Sequence, residues 1–221
     1  MITKDTFQFL EDLKNNNYRD WFQANQKRYD GYKKQYKEIV EAFVAELSKG
    51  DGSLSHLGFK DCSFRINRDI RFSKDKAPYK TNMGIWMSAG TKSNNLAGYY
   101  VHIEKGAGFI AAGLHQPDAN DLKKIRREIA GFHEDLEEIV DGAEFKKIYG
   151  ALDSENALKT APKDYEKDHP AIEFLKLKSF TATAKLSDKD IESKDFVKDT
   201  AKKLLVLKPL VEFLNRGLTT E

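Results

Sequence analysis

The chain has 221 residues, of which 40% are hydrophobic and 33% are charged, and its formal net charge is +2. No apolar run approaches the roughly 20 residues that a membrane-spanning helix needs, and the single cysteine, Cys62, excludes an internal disulfide bond. So small a net charge argues against general nucleic-acid binding, which usually needs a long basic face. The first residues, MITKDTFQFL, lack the features of a signal peptide. We therefore expect a cytoplasmic protein with no membrane partner and a single domain spanning residues 1–221.

Helical periodicity dominates the first fifty residues of the chain. Thr3 or Asp5 can cap a helix over residues 3–15, in which every third or fourth residue is apolar. A second apolar stripe, from Phe22 to Leu47, predicts one longer helix. Tyrosines fill its first half, and we interpret that stripe as core.

The centre of the chain has the period of β-strands. Apolar and polar residues alternate over residues 83–88 and 99–104, with a turn predicted at residues 89–95 between them. The runs AGFIAAGLH, from residue 107, and LKSFTATAKL, from residue 177, follow the same pattern. Together with a basic segment before them, they predict an α+β fold whose antiparallel sheet has about five strands, with N-terminal and C-terminal helices packed on it.

The C-terminal half is expected to supply further helices. Pro117 and Asp118 begin one whose inner stripe includes Ile125 and Ile129. Arg126 follows Ile125 directly, so we expect it at the edge of that stripe, pointing back toward the sheet.

The segment from Phe64 to Lys80, FRINRDIRFSKDKAPYK, has the strongest local signal. It holds six basic residues and two acids, so it is net +4 although the whole chain is only +2. At strand period Phe64, Ile66, Ile70 and Phe72 share an apolar face, which Arg68 interrupts. Because a guanidinium facing a core is costly when unpaired, we expect Arg68 to have a buried partner and Arg68→Ala to cost several kcal/mol.

This density of guanidinium and ammonium groups favours the binding of an anion, because arginine pairs its donors with phosphate or carboxylate oxygens. The alternative is a solvated edge whose charges form weak salt bridges. The candidate ligand-binding residues are Arg65, Arg68, Arg71, Lys76, Tyr79, Lys80 and Arg126.

Three residues are candidates for acid and base chemistry: Asp69, Asp168 and His169. Asp69 lies among the arginines and could instead orient one of them. Asp168 and His169 are adjacent, but adjacency in sequence does not place two side chains in contact. We favour Asp168 as the cap of a helix that begins at Pro170.

Histidines elsewhere give little support for a metal. His102 and Glu104 share one face of a predicted strand and His115 ends the next, but no established metal-binding motif contains them. We expect structural or surface roles for them, with no metal and no cofactor. Cys62 is expected to be a small buried residue rather than a nucleophile.

The basic segment also resembles a known signature, RxxRDxRFxxxKxPYK, and matches it throughout. The signature residues are Arg65, Arg68, Asp69, Arg71, Phe72, Lys76, Pro78, Tyr79 and Lys80. The two other similar blocks contain Asn17, Trp21, Phe22, Asn25 and Tyr29 in one, and Pro162, Asp168, His169 and Pro170 in the other. The chain thus resembles a widespread bacterial family, domain of unknown function 2461. This resemblance implies one intact domain and no particular chemistry.

Two functions from different classes remain open. In the first, the basic strand and loop over residues 65–80 bind a phosphate-bearing small molecule or nucleic acid, with phosphoryl or phosphodiester chemistry if the protein is an enzyme. In the second, the arginines form a buried polar network in a non-catalytic structural or protein-interaction domain. The sequence leaves enzyme activity and oligomeric state undecided.

Overall fold

A computed structural model describes residues 2–90 and 95–220. Its helices are α1 (Lys4–Asn15), α2 (Arg19–Ala24), α3 (Gln26–Leu47), α4 (Phe59–Cys62), α5 (Ala119–Gly131), α6 (His133–Asp141), α7 (Ala143–Ile148), α8 (Ile172–Leu175), α9 (Asp188–Glu192), α10 (Phe196–Leu205) and α11 (Lys208–Thr219), with a short 3-10 helix at Gly52–Leu54. Its strands are β1 (Met83–Ser88), β2 (Gly98–Ile103), β3 (Phe109–Leu114) and β4 (Phe180–Lys185).

The strands form one antiparallel sheet in the order β1-β2-β3-β4, which confirms the mixed α+β class. Burial alternates in β2, where Tyr99, Val101 and Ile103 are buried and the residues between them are partly exposed, but β1 is buried on both faces. Part of the turn predicted at residues 89–95 cannot be assessed, because residues 91–94 lie outside the described ranges.

The prediction of about five strands is wrong: the sheet has four. The basic segment is not a strand. An isolated bridge joins Asn67 to Tyr79 within it, and another joins Ser63, the residue before it, to Ile85. The segment folds back on itself instead of extending along the sheet edge. Phe72, predicted to face the core, is 96% exposed.

The single long helix predicted from Phe22 to Leu47 is also wrong, because Asn25 divides it into α2 and α3. The Asn25 side chain donates to the carbonyl of Trp21 at 2.9 Å and so closes the end of α2. The first helix agrees with its prediction, and Thr3 is its N-cap, accepting from the N–H of Thr6.

The chain divides into two compact units. The first comprises Met1–Met87, Tyr100–Ile110 and Lys185–Lys202. The second comprises Ser88–Tyr99, Ala111–Ala184 and Lys203–Glu221. The single domain expected from the sequence stays a prediction.

In the first unit, α1 and α3 pack together and bury Phe9, Leu13 and Phe43. The hydroxyl of Tyr36, on α3, donates to the carbonyl of Gly84 and accepts from the N–H of Phe64 at 3.0 Å. One buried side chain therefore joins a helix, the first strand and the start of the basic segment.

In the second unit, α11 packs against α5 and α6. Ile125, Ile129 and Leu214 are fully buried there. Arg216 pairs with the buried carboxylate of Glu128 and, at 2.8 Å, with Asp135. Among the described residues, no helix combines the length and the apolar character required to cross a membrane.

Tyr36→Phe is expected to lower the free energy of unfolding by about 1–3 kcal/mol, because it leaves the Gly84 carbonyl and the Phe64 N–H without the hydroxyl. Urea denaturation measures the change. Tyr18→Phe is the control, since Tyr18 is 53% exposed and should change stability by no more than about 0.5 kcal/mol. Equal effects of the two substitutions would contradict the role assigned to Tyr36.

Stability should also fall at alkaline pH. Burial raises the pKa of Tyr36 from 10.0 to about 12, so the unfolded chain loses this proton more readily than the folded one. The free energy of unfolding therefore decreases as pH rises through the window from 10 to about 12. Thermal unfolding across that window tests this, and Tyr36→Phe should show a shallower decrease than the wild-type protein.

Candidate functional site

Residues 64–80 form an irregular loop, here called the basic loop, within the first unit. Two backbone hydrogen bonds close it, from Arg68 N–H to the Pro78 carbonyl at 2.9 Å and from Lys80 N–H to the Ile66 carbonyl at 2.8 Å. Pro78, which has no N–H, contributes its carbonyl to this closure. Charged side chains between the two arms therefore project from a loop and not from a sheet.

The closed end of the basic loop is fixed to the N-terminal helices. The side chain of Asn17 donates to the Tyr79 carbonyl at 2.9 Å and accepts from the Tyr79 N–H at 3.0 Å. The ring of Tyr79 stacks on Phe22 with 4.0 Å between ring centres and is 8% exposed. Tyr79, a candidate for ligand contact, is thus a core residue that positions the loop.

Arg68 donates to a carboxylate and to a carbonyl, as expected for a guanidinium, but the ion pair lies at the surface and not in the core. Its Nη1 donates to Asp75 at 2.5 Å and to the Ala77 carbonyl at 3.0 Å. The Arg68 side chain is 27% exposed and that of Asp75 is 66% exposed. The buried partner expected from the strand alternation is therefore wrong, because the segment is a loop.

Arg71 and Asp69 form a two-pronged ion pair in solvent. Arg71 donates from Nε at 3.0 Å and from Nη2 at 2.7 Å to the two carboxylate oxygens of Asp69. These bonds hold the pKa of Asp69 below its ordinary value, which makes it a poor general acid. Lys76 donates to the Ile70 carbonyl at 3.0 Å.

Arg65 and Lys80 have a different environment. The Lys80 ammonium lies 5.0 Å from the ring centre of Phe64, and burial together with the positive charge of Arg65 lowers the pKa of Lys80. Phe64 in turn packs edge-on against Tyr100, with ring centres 6.4 Å apart. Lys80 therefore lies beside the Phe64 ring and within the electrostatic influence of a second cation, Arg65.

Phe64 and Asn17 are the residues of this site that the site predictions missed. Asn17 was visible only as part of the N-terminal block of the resemblance. Phe64 was assigned to a buried face, yet it is 46% exposed.

Asp168 and His169 belong to the second unit, where His169 has a main-chain partner. The ring nitrogen Nδ1 of His169 accepts from the backbone N–H of Ala171 at 3.0 Å. Helix α8 begins at Ile172 with Ala171 as its N-cap, so the predicted cap at Asp168 and helix start at Pro170 are wrong. Asp168 is exposed.

Arg126, the remaining candidate ligand, also lies in the second unit. It donates from Nε to the Leu175 carbonyl at 2.8 Å and from Nη2 to the Leu177 carbonyl at 3.3 Å. Burial lowers its pKa. The first unit thus gathers Arg65, Arg68, Arg71, Lys76 and Lys80 in one loop, while Arg126 contacts its own unit.

Two of the three residues considered for metal binding, His102 and Glu104, have other partners, and the third, His115, is exposed. His102 contacts Tyr100 through Nδ1 and Glu104 through Nε2, both at 3.1 Å, and its ring stacks on Phe109. Within residues 2–90 and 95–220, no cluster of histidine, cysteine, aspartate or glutamate is arranged to hold a metal ion. Burial raises the pKa of the Cys62 thiol to about 11, so its thiolate is scarce at neutral pH.

A family model described as "Conserved hypothetical protein (DUF2461)" matches residues 5–213, and the chain therefore belongs to this family. The match includes both units and all three sequence blocks that carried the resemblance. No curated protein matches the chain, and no solved structure matches it.

Arg68→Ala is expected to lower the free energy of unfolding by about 1 kcal/mol or less, because exposed ion pairs contribute little. Asp75→Asn and the double variant test whether the two side chains are coupled, and a weak coupling is expected for a pair at the surface. Urea denaturation of the four proteins measures both quantities. A loss above about 3 kcal/mol for Arg68→Ala would instead indicate a buried network.

Proposed function

We propose that the basic loop binds a phosphate-bearing ligand between Arg65 and Lys80. The observation that carries this proposal is the backbone hydrogen bond from the Lys80 N–H to the Ile66 carbonyl, which sets Lys80 opposite the residue next to Arg65. Burial and the positive charge of Arg65 lower the pKa of Lys80. Like charges held close together are unfavourable, and an anion between them would relieve the repulsion. The backbone bond between Lys80 and Ile66 keeps Lys80 beside the arm that carries Arg65.

The other cations of the basic loop support the site indirectly. Arg68, Arg71 and Lys76 are each bonded to an acid or carbonyl of the same loop, so they maintain its shape. With both aspartates included, residues 64–80 remain net +4. The loop therefore presents a positive potential to an approaching phosphate.

The rings beside the two cations favour a ligand that carries more than phosphate alone. Phe64 is 46% exposed and Tyr100 adjoins it, so a planar group could pack on them while its phosphate contacts Arg65 and Lys80. A nucleotide, free or within a nucleic acid, has both features. Because Arg71 holds Asp69 ionised, the proposal is limited to binding and includes no phosphoryl transfer.

One observation favours a second candidate function, the binding of a protein partner. Phe72 is 96% exposed at the far end of the loop, with the Arg71 guanidinium 5.8 Å from its ring centre. An aromatic residue beside arginine is typical of interface hot spots. In this reading the loop would serve as a recognition surface without a small-molecule ligand.

Lys80→Met and Arg65→Gln are each expected to weaken the binding of adenosine monophosphate about tenfold, because each removes a charged hydrogen-bond donor to phosphate. Titration calorimetry at low salt measures the affinity, which should fall as sodium chloride is added. The melting temperature of Lys80→Met should be unchanged or higher, since that substitution removes a partly buried charge.

Lys74→Gln is the matched control, because Lys74 is an exposed cation of the same loop and its loss changes the net charge equally. It should weaken binding far less than Lys80→Met. A short oligothymidylate and inorganic phosphate, titrated in parallel, distinguish a nucleic acid from a bare anion. If none of the three probes binds, or if Lys74→Gln and Lys80→Met weaken binding equally, the proposal is wrong and the partner-binding function is favoured.

A further inference from the structure

The second unit contains a pocket of about 420 Å³, formed where the start of α5 meets the segment that precedes β4. Arg126 and Lys178 line it with positive charge, Gln116 and Asn156 with amides, and Leu122 and Leu158 with apolar surface. Among the described residues that line it, there are cations and no carboxylate. Its volume lies in the range of pockets that bind small molecules.

The walls of the pocket are fixed by local structure. Asp118 caps α5 by accepting from the N–H groups of Asn120 and Asp121, and Leu122 and Arg126 lie one turn apart on that helix. The opposite wall, residues 153–158, is tied beside β4 at both ends. Asp153 N–H donates to the Thr181 carbonyl at 2.7 Å, and Leu158 N–H donates to the Lys176 carbonyl at 2.8 Å.

The guanidinium of Arg126 is oriented by main-chain groups and not by a carboxylate. Its side edge, Nε and Nη2, donates to the Leu175 and Leu177 carbonyls, which accept hydrogen bonds without cancelling its charge. The end edge, Nη1 with the second Nη2 hydrogen, has the spacing that two oxygens of an oxyanion accept. Asp164 and Tyr165 act on the charge of Arg126 from outside the pocket lining.

Gln116 adds an independent observation at the mouth of the pocket. Its φ is +46°, a left-handed conformation that residues other than glycine rarely adopt, and its N–H donates to the Ser179 hydroxyl at 3.0 Å. Strained backbone of this kind occurs disproportionately at ligand sites, where surrounding contacts maintain it. In this protein the residue with the left-handed backbone is Gln116, whose side-chain amide lines the pocket together with Arg126 and Lys178.

We infer that this pocket binds a small organic anion, with a carboxylate or phosphate head between Arg126 and Lys178 and a compact apolar body against Leu122 and Leu158. The inference does not depend on the basic loop, which shares no residue with the pocket and belongs to the other unit. The two cations supply charge, and the amides of Gln116 and Asn156 supply directional hydrogen bonds.

Benzoate and phenyl phosphate are suitable probes, because they share an apolar ring and differ in the head group. One of them is expected to bind the full-length protein and shift the amide resonances of residues 116–126 and 156–158 in two-dimensional NMR spectra. Lys178→Gln should weaken that binding about tenfold, since it removes one of two charges that face the anion. Asn156→Trp should abolish binding without lowering the melting temperature, because Asn156 is exposed and a large ring there fills the pocket.

Lys123→Gln is the matched control. Lys123 is an exposed cation on α5, outside the pocket lining, and its removal changes the net charge by the same amount as Lys178→Gln. The affinity of Lys123→Gln for the bound probe should equal that of the wild-type protein. The inference is overturned if neither probe shifts these resonances at about 10 mM. It is also overturned if both lysine variants weaken binding equally, or if inorganic phosphate binds as tightly as phenyl phosphate.

Discussion

The hydroxyl of Tyr36 is the contact on which the first unit depends. It is held inside the core by α3, donates to Gly84 at the start of β1 and accepts from Phe64, where the basic loop begins. Burial makes this phenol hard to ionise, so it remains a donor and an acceptor at physiological pH. The position of the loop relative to the strand is therefore set by a polar group inside an apolar core, where a lost hydrogen bond is costly.

The cations of the basic loop have different partners at its closed end and at its far end. Away from the closed end, Arg71 pairs with Asp69 and Arg68 pairs with Asp75, while Lys76 donates to the Ile70 carbonyl. At the closed end the Lys80 N–H donates to the Ile66 carbonyl, and burial together with the charge of Arg65 lowers the pKa of Lys80. Some cations of this one segment therefore have hydrogen-bond partners within the loop, while Arg65 and Lys80 contribute positive potential at its closed end. The pocket beside Arg126 also has a positive potential, because carbonyl groups orient the Arg126 guanidinium without neutralising its charge.

Sequence patterns predicted elements whose periodicity reflects burial. The strands around Ile85 and Val101 and the cap at Thr3 were predicted from local signals, and the structure has all three. Periodicity failed in the basic loop, because the apolar spacing from Phe64 to Phe72 has the period of a strand while the charged residues favour solvent. The backbone bond between Lys80 and Ile66 and the walls of the pocket beside Arg126 depend on hydrogen bonds between segments that are apart in sequence. A single sequence does not reveal such contacts.

Because Asn17 holds the basic loop, the shape of the loop depends on a residue far away in sequence. Asn17 and Tyr79 are separated by 62 positions, yet two hydrogen bonds between them hold the closed end of the loop. Closing so long a stretch of chain is entropically costly unless other contacts form at the same time. The stacking of Phe22 on Tyr79 is such a contact, since it joins the same two parts of the chain. A chain that lacked residues 1–17 would keep every basic residue of the loop and lose the Asn17 side chain that holds its closed end.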